Sequence, residues 1–121
     1  MADYQRIQVE YGEPVTRVRL VDSKILDQLL VKQLAEELVA LVQEEKKQQL
    51  LLDMSEVTFL SSAALNNLVV LNKKVQAEEG KIVLVGLQPQ VYEVFNITGL
   101  NRWFKIADSP ESGLADFASL A

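Results

Sequence analysis

Cysteine and histidine are both absent from this 121-residue chain, and the two absences remove much of the common chemistry of small proteins. No Ser-His-Asp or Cys-His catalytic set can form, and no His- or Cys-ligated zinc site. The lack of cysteine fits a reducing compartment, where disulfides do not persist. Glycine is scarce, at five residues, and none falls into a GxxxxGK[ST] or GxGxxG phosphate-binding pattern. Basic residues number 12 against 17 acidic ones, a net charge of −5. No basic stripe exists to neutralise a phosphate backbone, so nucleic acid is not an expected partner. The adjacent lysines Lys46-Lys47 and Lys73-Lys74 read as solvated helix faces. Apolar runs extend for only a few residues, far short of the roughly 20 that a membrane span needs. The opening Met1-Ala2-Asp3-Tyr4-Gln5-Arg6 has no apolar stretch of the kind a signal peptide carries. The expectation is a soluble, cytoplasmic protein.

What remains is ordinary for one globular domain, here expected to span 1–121. Hydrophobic residues make up 49% and charged residues 24%, enough apolar surface to fold without disulfide or metal. Ile7-Gln8-Val9-Glu10-Tyr11 and Val15-Thr16-Arg17-Val18-Arg19-Leu20 both alternate apolar and polar residues and read as half-buried strands. Gly12-Glu13-Pro14 between them reads as a turn, which suggests a hairpin. Asp22 or Ser23 then caps a long helix from about Lys24 to Glu45, its apolar stripe running through Leu26, Leu30, Leu34, Leu38 and Leu41 or Val42. Leu50-Leu51-Leu52 is a continuous apolar run, consistent with a strand buried on both faces.

A second helix starts at Ser62 or Ala63 and continues to about Glu79. Its core stripe is Ala64, Leu68, Leu71 and Val75, widened by Leu65 and Val69, and Gly80 suits the left-handed residue just past its end. Lys81–Gly86 is the clearest strand. Pro89 opens a third helix that runs to Thr98 and stops at Gly99. Trp103-Phe104-Lys105-Ile106 reads as a last short strand, with Trp103 and Phe104 filling the core or, alternatively, forming an apolar patch for a partner. Ser109-Pro110-Glu111 opens a terminal helix. Strands alternating with helices predict an α/β domain with a mixed sheet of about four to five strands and four helices.

In such sheets, ligands and partners gather at the carboxyl ends of the strands. The conspicuous loop there is Asp53-Met54-Ser55-Glu56-Val57-Thr58-Phe59-Leu60-Ser61-Ser62. Phe59 and Leu60 read as anchors to the core. Asp53 can orient the loop or contact a partner, and a plain Asx-turn accounts for it as well. Thr58 reads as a β-branched residue packed under the helix, or as a phosphorylation site. Of Ser61 and Ser62, one hydroxyl caps the second helix and stabilises it by about 1 kcal/mol. The other is left at the positive end of the helix dipole, where a phosphoryl group of roughly −2 charge is tolerated by the fold while it changes what a partner meets beside Asp53 and Glu56.

At this loop the sequence resembles the STAS family, the sulfate-transporter and anti-sigma-factor-antagonist domains. Leu50 to Leu65, LLLDMSEVTFLSSAAL, is similar to the family's strand, Asp-x-Ser-x-Val turn and Phe-x-Asp-Ser-Ser-Gly-Leu helix start. Val91 to Leu100, VYEVFNITGL, is similar to its valine- and phenylalanine-rich helix ending in Thr-Gly-Leu. The resemblance covers essentially the whole chain and implies a layered STAS-type fold. It implies a bacterial, non-enzymatic partner-switching protein that regulates transcription by binding an anti-sigma factor, a serine kinase of the histidine-kinase-like ATPase fold. The kinase phosphorylates one serine to end the binding, and a phosphatase restores it.

Ser62 falls on the family's phosphorylated position, with Ser61 and Thr58 as alternatives. The implied contact surface is Asp53, Ser55, Glu56, Thr58, Ser61, Ser62 and Ala63. Three positions depart from the motif: Ser61 stands where Asp is usual, Ala63 replaces the second Ser, and Ala64 replaces Gly. The departures keep open an alternative, a non-phosphorylated STAS subunit of a transporter or stress-sensing scaffold complex. An enzyme would have to rely on Asp, Glu, Lys, Tyr or Ser, and no paired constellation of these stands out. No cofactor or metal is expected.

Overall fold

A computed structural model describes residues 3–118; Met1 and Ala2, at the head of the stretch read for a signal peptide, and residues 119–121 lie outside the described residues. The hairpin forms as its alternation requires. β1 (Ile7–Glu10) pairs antiparallel with β2 (Thr16–Leu20), Ile7 opposite Leu20 and Glu10 opposite Arg17. Val18 and Leu20 turn into the core, and Arg17 and Arg19 turn away from it. β2 then pairs in parallel with β4 (Gln49–Asp53), β4 with β6 (Lys81–Val85), and β6 with β7 (Lys105–Ala107), giving a five-stranded mixed sheet of order β1-β2-β4-β6-β7.

Leu50, Leu51 and Leu52 are all buried because both faces of β4 are covered. Leu50 and Leu52 join the main core with α1 (Gln28–Val39), α2 (Ser62–Ala77) and α3 (Pro89–Thr98), through Leu34, Leu38, Leu68, Leu71, Val91 and Phe95. Leu51 faces the other way and packs with Val83, Val85 and Phe117 under α4 (Pro110–Ala118). Gly113 lets α4 approach this closely, since a Cβ there would lie 2.7 Å from Leu51 and 2.8 Å from Val85. Ser109 and Ser112 cap one another at its start, each hydroxyl accepting the other's backbone N–H. Each fully buried leucine or phenylalanine contributes about 1.5–3 kcal/mol relative to exposure.

Four expectations are corrected. The first long helix does not begin at Lys24, and neither Asp22 nor Ser23 caps it. Lys24–Ile25 is instead a two-residue strand, β3, paired in parallel with β5 (Phe59–Leu60). Asp27 is the cap, accepting from Leu29 N–H at 2.7 Å and Leu30 N–H at 3.3 Å, and Leu26, lying before the helix, is exposed. Past Val39 the helix widens into a π-helical turn, Ala40–Glu44, so Lys46 falls beyond it at φ 61° and Lys47 lies over the Tyr11 ring. The left-handed residue ending α2 is Glu79, at φ 61°. Glu79 and Gly80 N–H groups bond back to Gln76 and Val75 carbonyls, which satisfies the helix's last acceptors. Gly80 is needed for another reason: a Cβ there would stand 2.2 Å from the Gln48 carbonyl oxygen.

The last strand is Lys105–Ala107, displaced by a 3-10 turn at Leu100–Arg102. Phe104 fills the core against Phe95, edge to face with ring centroids 5.8 Å apart, whereas Trp103 is exposed. Gly99 ends α3 at φ 78°, as the reading of Thr98-Gly99 requires.

At the amino end of the parallel strands the chain is tied by one carboxylate. Glu45 accepts hydrogen bonds from the phenols of both Tyr4 and Tyr11, the latter at 2.9 Å. The Tyr4 bond, first among several causes, holds the Glu45 carboxyl below its usual range. Burial, reinforced by Glu45, pushes both phenols up. Elsewhere, Glu37 accepts the backbone N–H groups of Gln5 and Arg6, which ties the segment leading into β1 to α1.

Candidate functional site

The opposite, carboxyl end of the sheet is built from the loop between β4 and α2. Asp53 closes an Asx-turn, its Oδ1 accepting from Ser55 N–H at 2.9 Å. Met54 donates its N–H to the Val85 carbonyl at 2.9 Å and accepts from Val57 N–H at 3.0 Å. Met54 and Val57 are completely buried, and they are the anchors of the loop together with Leu60. Phe59, expected to anchor it, is 55% exposed. Strand alternation explains the exchange: in β5 Leu60 points inward, so its neighbour Phe59 must point out.

Elements distant in sequence fix the loop from both sides. Gln88 Nε2 donates to the Ser55 carbonyl at 2.9 Å. Gly86, at φ 74°, passes so near that a Cβ would lie 3.1 Å from both Asp53 Oδ1 and Ser55 Cβ. Arg19 reaches Glu56 at 3.4 Å, an exposed pair worth little to stability. On the other flank the Ser23 carbonyl accepts from the Thr58 N–H at 2.7 Å and from Thr58 Oγ1 at 3.1 Å. The Ser23 and Thr58 hydroxyls lie 2.9 Å apart. Ser61 N–H donates to the Ile25 carbonyl at 3.0 Å. The start of α2 is thereby laced to the segment that leads into α1.

These contacts separate the three candidate hydroxyls. Thr58 Oγ1 is half-buried and engaged with Ser23. Ser61 has extended backbone (φ −74°, ψ 165°), and its Oγ accepts from Ala64 N–H at 3.1 Å, so Ser61 is the cap of α2. Ser62 is the first residue of the helix and is exposed, its hydroxyl without a hydrogen-bond partner among the described residues. The structure brings Asp53, Ser55, Glu56, Thr58, Ser61, Ser62 and Ala63 to one end of the molecule; Ser55, Glu56, Ser62 and Ala63 are exposed. Sequence reasoning missed Arg19, Ser23, Ile25, Gly86 and Gln88, which hold the loop. Gly86, directly after the clearest strand, was the one available signal, since glycine there permits a positive φ. Among the described residues no cluster of three or more acidic side chains could hold a metal ion, and no helix is long and apolar enough to cross a membrane.

Comparison with known proteins agrees with this architecture. The family model for the STAS domain matches residues 15–113. BtrV of Bordetella bronchiseptica, which carries the name of an anti-sigma factor antagonist, is 35% identical over 86 residues, covering 71% of this chain and 73% of BtrV. A crystal structure of a Thermotoga maritima protein named in the same way superposes with a TM-score of 0.80 at 21% identity, over 91% of this chain and 92% of that one. The anti-sigma factor antagonist SpoIIAA in its unphosphorylated form superposes with a TM-score of 0.76 at 19% identity, over 95% and 98% of the two chains. The phosphorylated form of SpoIIAA, from Bacillus, gives 0.68 at 18%, over 91% and 97%. At these identities the structural matches speak for the fold.

Proposed function

The chain belongs to the STAS domain family, and from that premise we propose that it is a binding module of the anti-sigma-factor-antagonist kind, released from its partner by phosphorylation of Ser62. The partner is a cytoplasmic, ATP-dependent serine kinase that acts as an anti-sigma factor, and a phosphatase reverses the modification. The observation that carries this reading is the division of labour between neighbouring serines. Ser61 caps the helix, which frees the exposed Ser62 hydroxyl for chemistry. In the transfer, Ser62 Oγ bonds to the γ-phosphorus of ATP as the bond to the β-phosphate bridging oxygen breaks. ADP leaves, and the hydroxyl proton passes to a base of the kinase.

The departures from the family motif suit this reading. Ser61, standing in place of Asp, performs the capping that Asp would perform and leaves one negative charge fewer beside Ser62. A phosphoryl group at the first residue of α2 meets unbonded N–H groups and a favourable dipole, so the fold is kept. A partner lying on the same surface meets a new charge of about −2 near Glu56. That a relative of this fold, SpoIIAA, is known both unphosphorylated and phosphorylated supports the same cycle here.

The test is phosphorylation and binding in parallel. Incubated with ATP and an extract of its native source, the wild-type chain is expected to gain one phosphoryl group, mapped to Ser62 by mass spectrometry. The kinase fraction purified by this activity should bind Ser62→Ala as it binds wild type, and Ser62→Asp at least about tenfold more weakly. Equal binding by Ser62→Asp would remove the switch and favour the phosphorylation-independent subunit.

A further inference from the structure

Trp103, the chain's one tryptophan, is 68% exposed, although an indole is among the largest apolar surfaces a side chain can leave in water. Its mount is rigid. The Trp103 N–H donates to the Leu100 carbonyl at 2.9 Å, and the next residue, Phe104, is buried edge to face against Phe95. Asn72, buried on α2, donates from Nδ2 to the Trp103 carbonyl at 3.0 Å. A buried amide is thus committed to holding the tryptophan backbone, while no hydrogen bond reaches the indole N–H among the described residues.

Beside the indole is a depression of about 400 Å³ between α2 and the 3-10 turn, lined by Val69, Asn72, Lys73, Gln76, Leu100 and Trp103. Val69, Lys73 and Gln76 share one face of α2 by their spacing of four and three. The lining offers what a buried indole needs. Val69 and Leu100 are apolar walls, the Gln76 amide oxygen is an acceptor for the indole N–H, and Lys73 is a cation for the ring face. Among the described residues Lys73 is the one charged side chain of the lining and forms no ion pair. Gln76 is exposed, and its amide has no hydrogen-bond partner among the described residues. Projecting ring and matching socket therefore sit on one patch, the condition for an isologous contact between two copies.

We infer that this patch is a self-association surface. Two copies meet about a two-fold axis, with Trp103 of each seated in the depression of the other, its N–H donated to the other copy's Gln76 and its ring face against that copy's Lys73. Two indoles and their sockets fall below the roughly 1,200 Å² at which stable interfaces begin. The dimer is accordingly weak, dissociating at about 10–100 μM. Lys73 lies about 17 Å along α2 from Ser62, so the contact does not depend on the switch proposed above. Two chains of net charge −5 repel through the intervening solvent, and the contact itself holds no ion pair. Salt therefore strengthens this dimer, whereas an acidic segment held by Lys73 would be released by it.

The test follows the full chain by sedimentation velocity and tryptophan fluorescence from about 1 μM to about 1 mM. The mass should climb from monomer toward dimer, and the emission maximum should move to shorter wavelength in step, because the only tryptophan reports its own burial. Added salt should shift both curves to lower protein concentration. Trp103→Ser should stay monomeric throughout, and Lys73→Ala and Gln76→Ala should each dissociate at least about threefold more readily. Phe59→Ser removes another exposed ring and should associate as wild type. Ser62→Asp should do the same, so that failure of the switch and failure of this contact are read separately. All five are surface changes and should keep the wild-type circular dichroism spectrum. A monomer at every concentration would overturn the self-association surface, as would a dimer that survives Trp103→Ser or one whose emission does not shift. Association that weakens with salt would assign the patch to charge pairing and overturn the exchange of indoles.

Discussion

The two ends of the parallel strands are held in opposite ways. At the amino end, a few closed contacts hold the chain: two phenols on Glu45, and the Gln48 carbonyl against Gly80. At the carboxyl end, backbone groups and buried Met54, Val57 and Leu60 do the holding, and the outward side chains of Ser62, Phe59, Leu26 and Leu29 are left uncommitted. The difference teaches where this fold keeps stability and where it keeps function. Anchoring a loop by its backbone and by inward-facing residues frees every outward position to change without unfolding the domain.

That division can be broken in a graded way. The largest effect belongs to the amino end: Gly80→Ala forces a methyl into the Gln48 carbonyl and should cost about 3 kcal/mol, read as a lowered urea midpoint. A loss below about 0.5 kcal/mol would show that this end is looser than its contacts suggest. Next is Ser62→Asp, which should weaken kinase binding by at least about tenfold, equivalent to about 1.4 kcal/mol, with an unchanged urea midpoint. If it unfolds the protein instead, function and stability are not separated at the carboxyl end.

Ser61→Ala removes the cap of α2 and should cost about 1 kcal/mol, while Ser61→Asp restores the cap and Ser62→Ala stays within about 0.5 kcal/mol of wild type. Equal losses for the two alanine variants would mean that the serines share the capping role.

The smallest effect is pH-dependent. Because the folded Glu45 carboxyl titrates below its unfolded value of about 4.3, its stabilisation is complete above that value and fades as pH falls through the lower, folded one. Glu45→Gln should therefore flatten the acid limb of the stability profile and leave kinase binding untouched; parallel acid limbs for the two proteins would show that the Tyr4–Glu45–Tyr11 cluster is not a source of stability.

Much of this molecule was legible from residue order alone. The hairpin follows from alternation in Ile7–Glu10 and Thr16–Leu20, and the buried central strand from an unbroken run of leucines. α3 is punctuated by Pro89 and Gly99, and the pair Ser61-Ser62 marks the start of α2. These are local signals: each depends on side-chain period, a fixed φ or a cap, and tertiary contacts reinforce rather than oppose them. The composition, with neither His nor Cys, also confined the candidate chemistry to hydroxyls and carboxylates.

Only the tertiary structure decided which serine caps and which is free, because either could satisfy the first turn until Ile25 accepted the Ser61 N–H and set the register of the helix start. It alone made Lys24–Ile25 a strand, since two residues carry no period and their partner, Phe59–Leu60, lies 35 positions away. That pairing turned Phe59 outward and took Leu26 out of the helix. Periodicity tells a side chain to seek a core, but the long-range pairing of backbone groups determines which way a short strand faces, and here it put the apolar residues on the surface.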